Sequence, residues 1–149
     1  MIGCERDVPG GFLGAALALP GPRRRARVER ARAERALATV GLEHAARLPA
    51  GGLAFGQQKL VEVARALAAE PTLLLLDEPA AGLNTVEKDE MMRLIARVRD
   101  GGISLLIIEH DMRLVMGVSD RVVVLDHGEK IAEGPPAEVQ RDPAVIRVY

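Results

Sequence analysis

A segment with helical periodicity separates two uninterrupted apolar runs of the chain. The runs occupy residues 73–76 and 105–108, and each has the length of one strand buried on both faces. The segment between them repeats apolar residues at helical spacing, namely Met91, Met92, Leu94, Ile95 and Val98. Because two buried strands joined by one amphipathic helix favour a right-handed parallel βαβ unit, the pattern predicts an α/β fold.

The rest of the pattern predicts further helices and a terminal hairpin. The expected elements are helices at 23–40, 57–69 and 113–118, strands at 121–126 and 130–133, and short helices at the carboxyl end. Asn84 precedes the central helix with Glu87 three residues later, which is typical of a helix N-cap. His127 and Gly128 are expected to form the turn of the hairpin.

The composition excludes several classes of protein. The 149 residues are 48% apolar and 28% charged with a formal net charge of −1, which argues against a general polyanion binder. With only three aromatic residues, the chain has no stacking platform for nucleic acid, so no nucleic-acid partner is expected. The single cysteine, Cys4, excludes a disulfide framework and a cysteine metal cluster. No segment is long and apolar enough to predict a membrane-spanning helix.

Acidic residues and a histidine follow the two apolar runs directly. Asp77 and Glu78 end the first run, and Glu109, His110 and Asp111 end the second. Ligands of parallel sheets bind beyond the carboxyl ends of the strands, so one acid of the first pair could hold Mg²⁺ through water while the other activates a water molecule. The alternative is that the first pair only caps the strand. We expect the acid at 109 to face solvent and the acid at 111 to cap the short helix that follows.

A glycine-glutamine segment precedes the predicted helix at 57–69. It reads Leu53, Ala54, Phe55, Gly56 and Gln57. A helix N-terminus presents free N–H groups and the positive end of the helix dipole, which suits a phosphate. The alternative is that the glycine is only a flexible helix start.

Taken in order, these segments resemble the carboxyl-terminal part of an ABC-type ATPase domain. Residues 53–57 resemble the signature motif, 73–77 the Walker B strand and 81–84 the D-loop, while Glu78 matches the catalytic glutamate and His110 the switch histidine. The resemblance implies part of a P-loop NTPase (RecA-like) parallel sheet with flanking helices. It also implies a helical-subdomain remnant at 1–70, followed at 71–149 by the second half of the core sheet and the carboxyl-terminal helices.

The subgroup that the chain resembles is the ATPase subunits of branched-chain amino-acid importers. The segments that carry this resemblance are 77–84, 108–112, 114–121, 134–139 and 142–146. It implies ATP and Mg²⁺ as ligands, with Asp77 supporting the metal through water, Glu78 polarising water and His110 positioning the γ-phosphate. The signature residues and Asn84 would contact ATP across a pair of ATP-binding subunits. Membrane permease subunits would be the other partners, on the cytoplasmic side of the membrane.

Two kinds of departure from the family pattern bear on activity. Ala54 and Phe55 replace the usual serine and first glycine of the signature, which the subgroup assignment interprets as subtype features. No Gly-x-x-x-x-Gly-Lys-Ser/Thr phosphate loop occurs in the 149 residues, so we expect negligible ATP hydrolysis by this chain alone and self-association through exposed apolar surface. The alternatives are a non-catalytic relative that only packs against a partner, and an ABC-type ATPase of DNA repair or translation.

Overall fold

The computed structural model describes residues 20–148 of the chain, with side chains from residue 24 onward. The helices are α1 (Pro20–Thr39), α2 (Phe55–Leu67), α3 (Thr85–Asp100), α4 (Met112–Val118), α5 (Pro136–Val139) and α6 (Pro143–Val148). The strands are β1 (Leu73–Asp77), β2 (Ser104–Ile108), β3 (Val122–Asp126) and β4 (Glu129–Gly134). Every predicted element within this range is present, with ends displaced by no more than a few residues. Cys4 and the first residues of the predicted 1–70 domain lie outside the described residues.

The described residues divide into two compact units. One comprises residues 20–74 and 101–105, and the other comprises 75–100 and 106–148. The division by sequence at residues 70 and 71 stays a prediction. None of the helices in the described range is both long enough and apolar enough to cross a membrane.

In the first unit, α2 packs against α1 through small aliphatic side chains. Val63 and Ala64 of α2 and Ala36 of α1 are buried. At the rim, Glu70 accepts a hydrogen bond from Arg35 at 2.8 Å and forms an ion pair with Arg32 at 3.1 Å. These exposed ion pairs contribute little to stability, so the apolar contacts hold the helices together.

In the second unit, α3 contributes four buried side chains to the core. Its predicted inward face is confirmed, since four of the five apolar positions are buried and Met92 is partly exposed. The least exposed residues of this unit are Met91 and Leu94 of α3 and Leu114 of α4, each 1% exposed. A second cluster, formed by Val122, Val124, Val139 and Val145, joins the β3–β4 hairpin to α5 and α6.

The strands form two separate two-stranded sheets. In the first, Ser104 N donates to Thr72 O at 3.0 Å at one end, and Glu78 N donates to Ile108 O at 2.9 Å at the other. Corresponding ends therefore pair, and β1 and β2 are parallel as predicted. In the second, β3 and β4 are antiparallel with Asp126 opposite Glu129, which leaves a two-residue turn.

The prediction that β1 and β2 are buried on both faces is wrong. Leu74 is 5% exposed, but its neighbours Leu73 and Leu75 are 53% and 64% exposed. Leu106 and Ile108 of β2 are likewise 58% and 61% exposed. The alternation of side chains along a strand places these residues on one face, and no element within residues 24–148 covers that face.

Candidate functional site

The backbone turns sharply where β1 ends, and this turn presents two carboxylates. Asp77 is the last residue of β1, and both Asp77 and Glu78 are exposed. Glu78 has a φ of +44°, a left-handed conformation that costs about 1 kcal/mol for a residue with a side chain. Its N–H donates to Ile108 O at 2.9 Å, and its carbonyl accepts from Ala81 N at 3.1 Å. These hydrogen bonds hold the left-handed conformation.

His110 lies next to Glu78 at the ends of the two parallel strands. Its Nδ1 is 3.5 Å from Glu78 Oε1, and the two side chains are 70% and 53% exposed. The structure therefore brings together two of the predicted site residues, Glu78 and His110, in a position that water and solutes can reach. Asp77 directly precedes Glu78, and no described contact joins it to the histidine. The roles assigned to the three residues stay predictions.

The side chain of Glu109 is buried, contrary to the expectation that it faces solvent, although the residue as a whole is partly exposed. Its side chain is 1% exposed. One carboxylate oxygen accepts a hydrogen bond from Ala80 N at 2.9 Å, and the other accepts from His110 N at 3.0 Å and Asp111 N at 3.3 Å. A buried charge requires such partners, and three backbone N–H groups provide them here.

Asp111 caps α4, as predicted, and also binds a lysine of α3. One oxygen accepts from Leu114 N at 3.2 Å, and the other accepts from Lys88 Nζ at 2.7 Å. The hydrogen bond from Lys88, followed in weight by the bond from Leu114 N, holds the pKa of Asp111 below its ordinary value. The Asp111 carboxylate is therefore charged over most of the accessible pH range.

Asn84 caps α3 and forms the predicted capping box with Glu87. Asn84 Oδ1 accepts from Val86 N at 2.9 Å and Glu87 N at 3.0 Å. In return, Asn84 N donates to Glu87 Oε2 at 2.9 Å. Asn84 therefore has a structural task whether or not it contacts a nucleotide.

The signature-like segment lies in the first unit, at the start of α2. The helix begins at Phe55, inside the segment and two residues earlier than predicted. Gln57 Oε1 accepts from Ala54 N at 3.3 Å, Gly56 is buried, and Phe55 is 54% exposed. Leu53 O accepts from Gln58 Nε2 at 2.9 Å. The segment is an ordered helix start with an exposed aromatic ring.

The acidic residues fit a magnesium ion that is bound mainly by water and phosphate. Within residues 24–148 no cluster of three or more His, Cys, Asp or Glu side chains has the arrangement of a protein-built metal site. Mg²⁺ usually retains several waters and takes only one or two carboxylates, together with phosphate oxygens. The exposed carboxylate of Asp77 at the end of β1 meets that requirement.

Sequence reasoning missed the two contacts that flank His110. The hydrogen bond from Ala80 to Glu109 spans 29 residues, and the ion pair of Lys88 with Asp111 spans 23. No local pattern predicts contacts at such separations. The one feature of the sequence that could have indicated a role for Glu109 is its position directly after an apolar run, which is also what made Asp77 a candidate.

Comparison with known proteins identifies the class of this chain. The ABC transporter family model matches residues 12–81. The "High-affinity branched-chain amino acid transport ATP-binding protein BraF" of Pseudomonas aeruginosa is 40% identical over 150 aligned residues, covering 100% of this chain. The chain belongs to the ATP-binding domains of the ABC transporter family.

The subgroup follows from a second model and a second relative. The model of the branched-chain amino acid ATP-binding cassette transporter matches residues 129–149. The corresponding LivG protein of Escherichia coli is 39% identical over the whole of this chain. The chain spans 59% of the length of both relatives.

A solved structure supports the fold. The ADP conformation of MJ1267, an ATP-binding cassette of an ABC transporter, matches with a TM-score of 0.73 and 34% identity. The match covers 79% of this chain and 48% of the solved one. The P-loop NTPase fold class predicted from the sequence is confirmed.

Proposed function

We propose that this chain is part of an ATP-hydrolysing subunit that couples ATP hydrolysis to the import of branched-chain amino acids. The observation that carries the proposal is the approach of His110 to within 3.5 Å of Glu78, directly after Asp77, at the ends of two parallel strands. The similarity of the whole chain to BraF and LivG supports the solute class, because both are named for branched-chain amino acid transport.

In this proposal, each residue at the strand ends has a separate task in the attack of water on the γ-phosphate. Glu78 accepts a hydrogen bond from the attacking water and orients it in line with the bond to be broken. His110 donates a hydrogen bond to a γ-phosphate oxygen and holds that group against the water. Asp77 supports the waters that surround Mg²⁺, and the ion when bound neutralises charge on the phosphates. Catalysis then comes from positioning and charge stabilisation, as in phosphoryl transfer generally.

The signature-like segment would bind the nucleotide held by a second ATP-binding subunit. The first N–H groups of α2 and the positive end of its dipole suit a phosphate. Leu53, Ala54, Phe55, Gly56 and Gln57 form that helix start, and Asn84 would reach the same subunit interface from the turn before α3. Membrane permease subunits would complete the assembly at the cytoplasmic face of the membrane.

The chain alone is proposed to hydrolyse ATP negligibly. The phosphate loop supplies the backbone N–H groups and the lysine that hold the β- and γ-phosphates, and no such motif occurs in the 149 residues. Activity therefore requires that loop to be supplied in addition. Turnover of Mg-ATP by the purified chain that is lost in a Glu78→Gln variant would refute this part of the proposal.

The chain alone is also proposed to self-associate with a second copy through the exposed face of β1 and β2. Leu75, Leu106 and Ile108 are 58–64% exposed on this face, an arrangement that favours association. Light scattering over a concentration series should give a mass above 16.0 kDa, and a Leu106→Lys variant should lower it. A monomer at every concentration would contradict this expectation.

A chimera tests the catalytic proposal. The part of E. coli LivG that this chain does not match, which by family resemblance carries the phosphate loop, is joined to the chain. The chimera should hydrolyse Mg-ATP and restore leucine uptake in cells that lack LivG. Glu78→Gln should lower turnover about a hundredfold or more, because it removes the carboxylate that orients water. Glu90→Gln, an exposed position on α3, is the matched control and should have no effect.

Mg-ATP turnover tests the catalytic role of Glu78, and leucine uptake tests the solute class. A folded chimera that binds ATP and turns it over equally with Glu78 or Gln at position 78 would refute the catalytic assignment. Turnover that depends on Glu78, without any leucine uptake, would refute the solute class and leave the ATPase assignment intact.

A further inference from the structure

The Glu109 carboxylate links two loops that are far apart in the sequence. Ala80, which donates to one of its oxygens at 2.9 Å, lies two residues after Glu78. The other oxygen accepts from the N–H groups of His110 at 3.0 Å and Asp111 at 3.3 Å. The carboxylate therefore connects the loop that carries Glu78 to the loop that carries His110.

Apart from the approach of His110 Nδ1 to Glu109 Oε2 at 3.8 Å, the side chains of Glu78 and His110 have little else to hold them in place. They are 53% and 70% exposed, so packing against neighbours does not restrict their rotamers strongly. The distance of 3.5 Å between Nδ1 and Oε1 therefore depends on where the two backbones lie. The backbone hydrogen bond from Glu78 N to Ile108 O joins the two chain segments where the strands end. Beyond that point, the Glu109 carboxylate connects the two loops.

The far side of His110 is anchored independently. Asp111 accepts from Lys88 Nζ at 2.7 Å and from Leu114 N at 3.2 Å, which joins this residue to α3 and α4. Loss of the Glu109 carboxylate would therefore free the loop on one side only. The contacts of Asp111 with α3 and α4 do not involve the Glu109 side chain.

We propose that Glu109 is a positioning residue, which holds the His110 backbone against the Glu78 loop and so sets the distance between the histidine and the glutamate. The proposal rests on the proposed function for its importance to catalysis, but the geometry it describes belongs to this chain alone. Glutamine has nearly the same shape, but it replaces one acceptor oxygen with an NH₂ group that cannot accept. A glutamine oxygen can therefore accept hydrogen bonds from one of the two loops, while its NH₂ group meets the backbone N–H groups of the other loop and cannot bond to them.

Nuclear magnetic resonance of the isotope-labelled chain tests the proposal without nucleotide. In the unaltered chain, the amide protons of Ala80, His110 and Asp111 should exchange slowly, and the His110 ring should give a nuclear Overhauser contact to the Glu78 side chain. In Glu109→Gln, exchange at Ala80, or at His110 and Asp111 together, should accelerate about tenfold or more, because a hydrogen bond to a charged group is lost. The contact between ring and side chain should weaken or disappear.

Two comparisons distinguish positioning from a general structural role. Glu90→Gln makes the same chemical change at an exposed site of α3 and should alter neither the exchange rates nor the contact. Glu109→Asp keeps both oxygens on a shorter side chain and should retain part of the protection. Faster exchange in Glu109→Gln with an unchanged contact between His110 and Glu78 would overturn the proposal, since the histidine would then be placed by something else.

If neither substitution at Glu109 yields a folded chain, amide exchange in the unaltered chain tests the proposal. Exchange at Ala80, His110 and Asp111 as fast as in exposed loops would overturn the proposal, and slow exchange would support it.

In the LivG chimera, Glu109→Gln should lower kcat about tenfold or more with little change in KM for ATP, because it misplaces groups needed in the transition state. An inactive chimera would refute the proposed function and leave the resonance result on Glu109 standing.

Discussion

Replacing Asn84 separates the capping of α3 from any contact with nucleotide. Asn84→Ala removes the oxygen that accepts from Val86 N at 2.9 Å and from Glu87 N at 3.0 Å. Loss of an N-cap of this kind costs about 0.5–2 kcal/mol of stability. Both N–H groups are exposed, so water can replace the lost partner. We therefore expect a loss of about 1 kcal/mol in the free energy of unfolding.

Other residues at position 84 make the prediction quantitative. Asn84→Gly should cost only a few tenths of a kcal/mol relative to asparagine, because glycine is itself a tolerated N-cap. Asn84→Asp keeps the acceptor and favours the helix dipole, but it places a second charge beside Glu87, whose Oε2 is 2.9 Å from the N–H of residue 84. These effects oppose each other, so aspartate should leave stability nearly unchanged.

Urea unfolding followed by circular dichroism measures the effect. A loss of about 1 kcal/mol lowers the midpoint by about half a molar at an unchanged m value. Glu87→Gln is the control, because glutamine still accepts from the N–H of residue 84. Equal midpoints for the alanine and aspartate variants would refute the capping argument. In the chimera, an aspartate variant with normal stability and reduced turnover would assign Asn84 a second task at the nucleotide.

Three further predictions concern the second unit. Lys88 holds the pKa of Asp111 below its ordinary value, so the stability that Asp111 contributes is fully present above the ordinary carboxyl pKa. This stability declines as the pH falls through the lowered pKa. Asp111→Asn should therefore reduce the fall in the free energy of unfolding at acid pH. Gly128 has a φ of +84°, so Gly128→Ala should cost about 1 kcal/mol in urea unfolding, whereas His127→Asn, which suits a type I′ turn better, should not lower stability. Leu94→Ala removes a side chain that is 1% exposed and should cost about 2–5 kcal/mol.

Each of these predictions has a result that contradicts it. An acid limb of the same slope in Asp111→Asn would mean that other carboxylates control the pH dependence. Equal midpoints for Gly128→Ala and the unaltered chain would mean that the turn adopts another conformation. A loss below 1 kcal/mol in Leu94→Ala would mean that the core of the second unit collapses around the cavity or is less well packed than the structure indicates.

Local patterns predicted the elements of this chain well, because each depends on residues close in sequence. The capping of α3 by Asn84 and of α4 by Asp111 follows from side chains that bond to N–H groups two or three residues later. The hairpin follows from the turn at His127 and Gly128, both of which have positive φ. The inward face of α3 follows from helical periodicity. All of these depend on short-range geometry.

Burial of the strands could not be predicted in the same way. An unbroken apolar run indicates that both faces can be covered, but it does not say which residues cover them. Leu74 is covered within the described residues, whereas Leu75 and Leu106 are more than half exposed. The apolar runs therefore predicted the strands but not the burial of each face.

The burial of the individual carboxylates at the candidate site could not be predicted from the sequence either. Asp77 ends one apolar strand and Glu109 directly follows the other, and the residue types beside them do not indicate which acid is exposed and which has a buried side chain. The difference arises after folding, when the turn beyond Glu78 brings the N–H of Ala80 to the Glu109 carboxylate from 29 residues away. A charged residue remains buried only where such donors meet it, so its burial depends on the path of a distant loop. The residue types at the strand ends therefore indicated the chemistry, while the division between groups that face the solvent and groups that hold the loops required the tertiary structure.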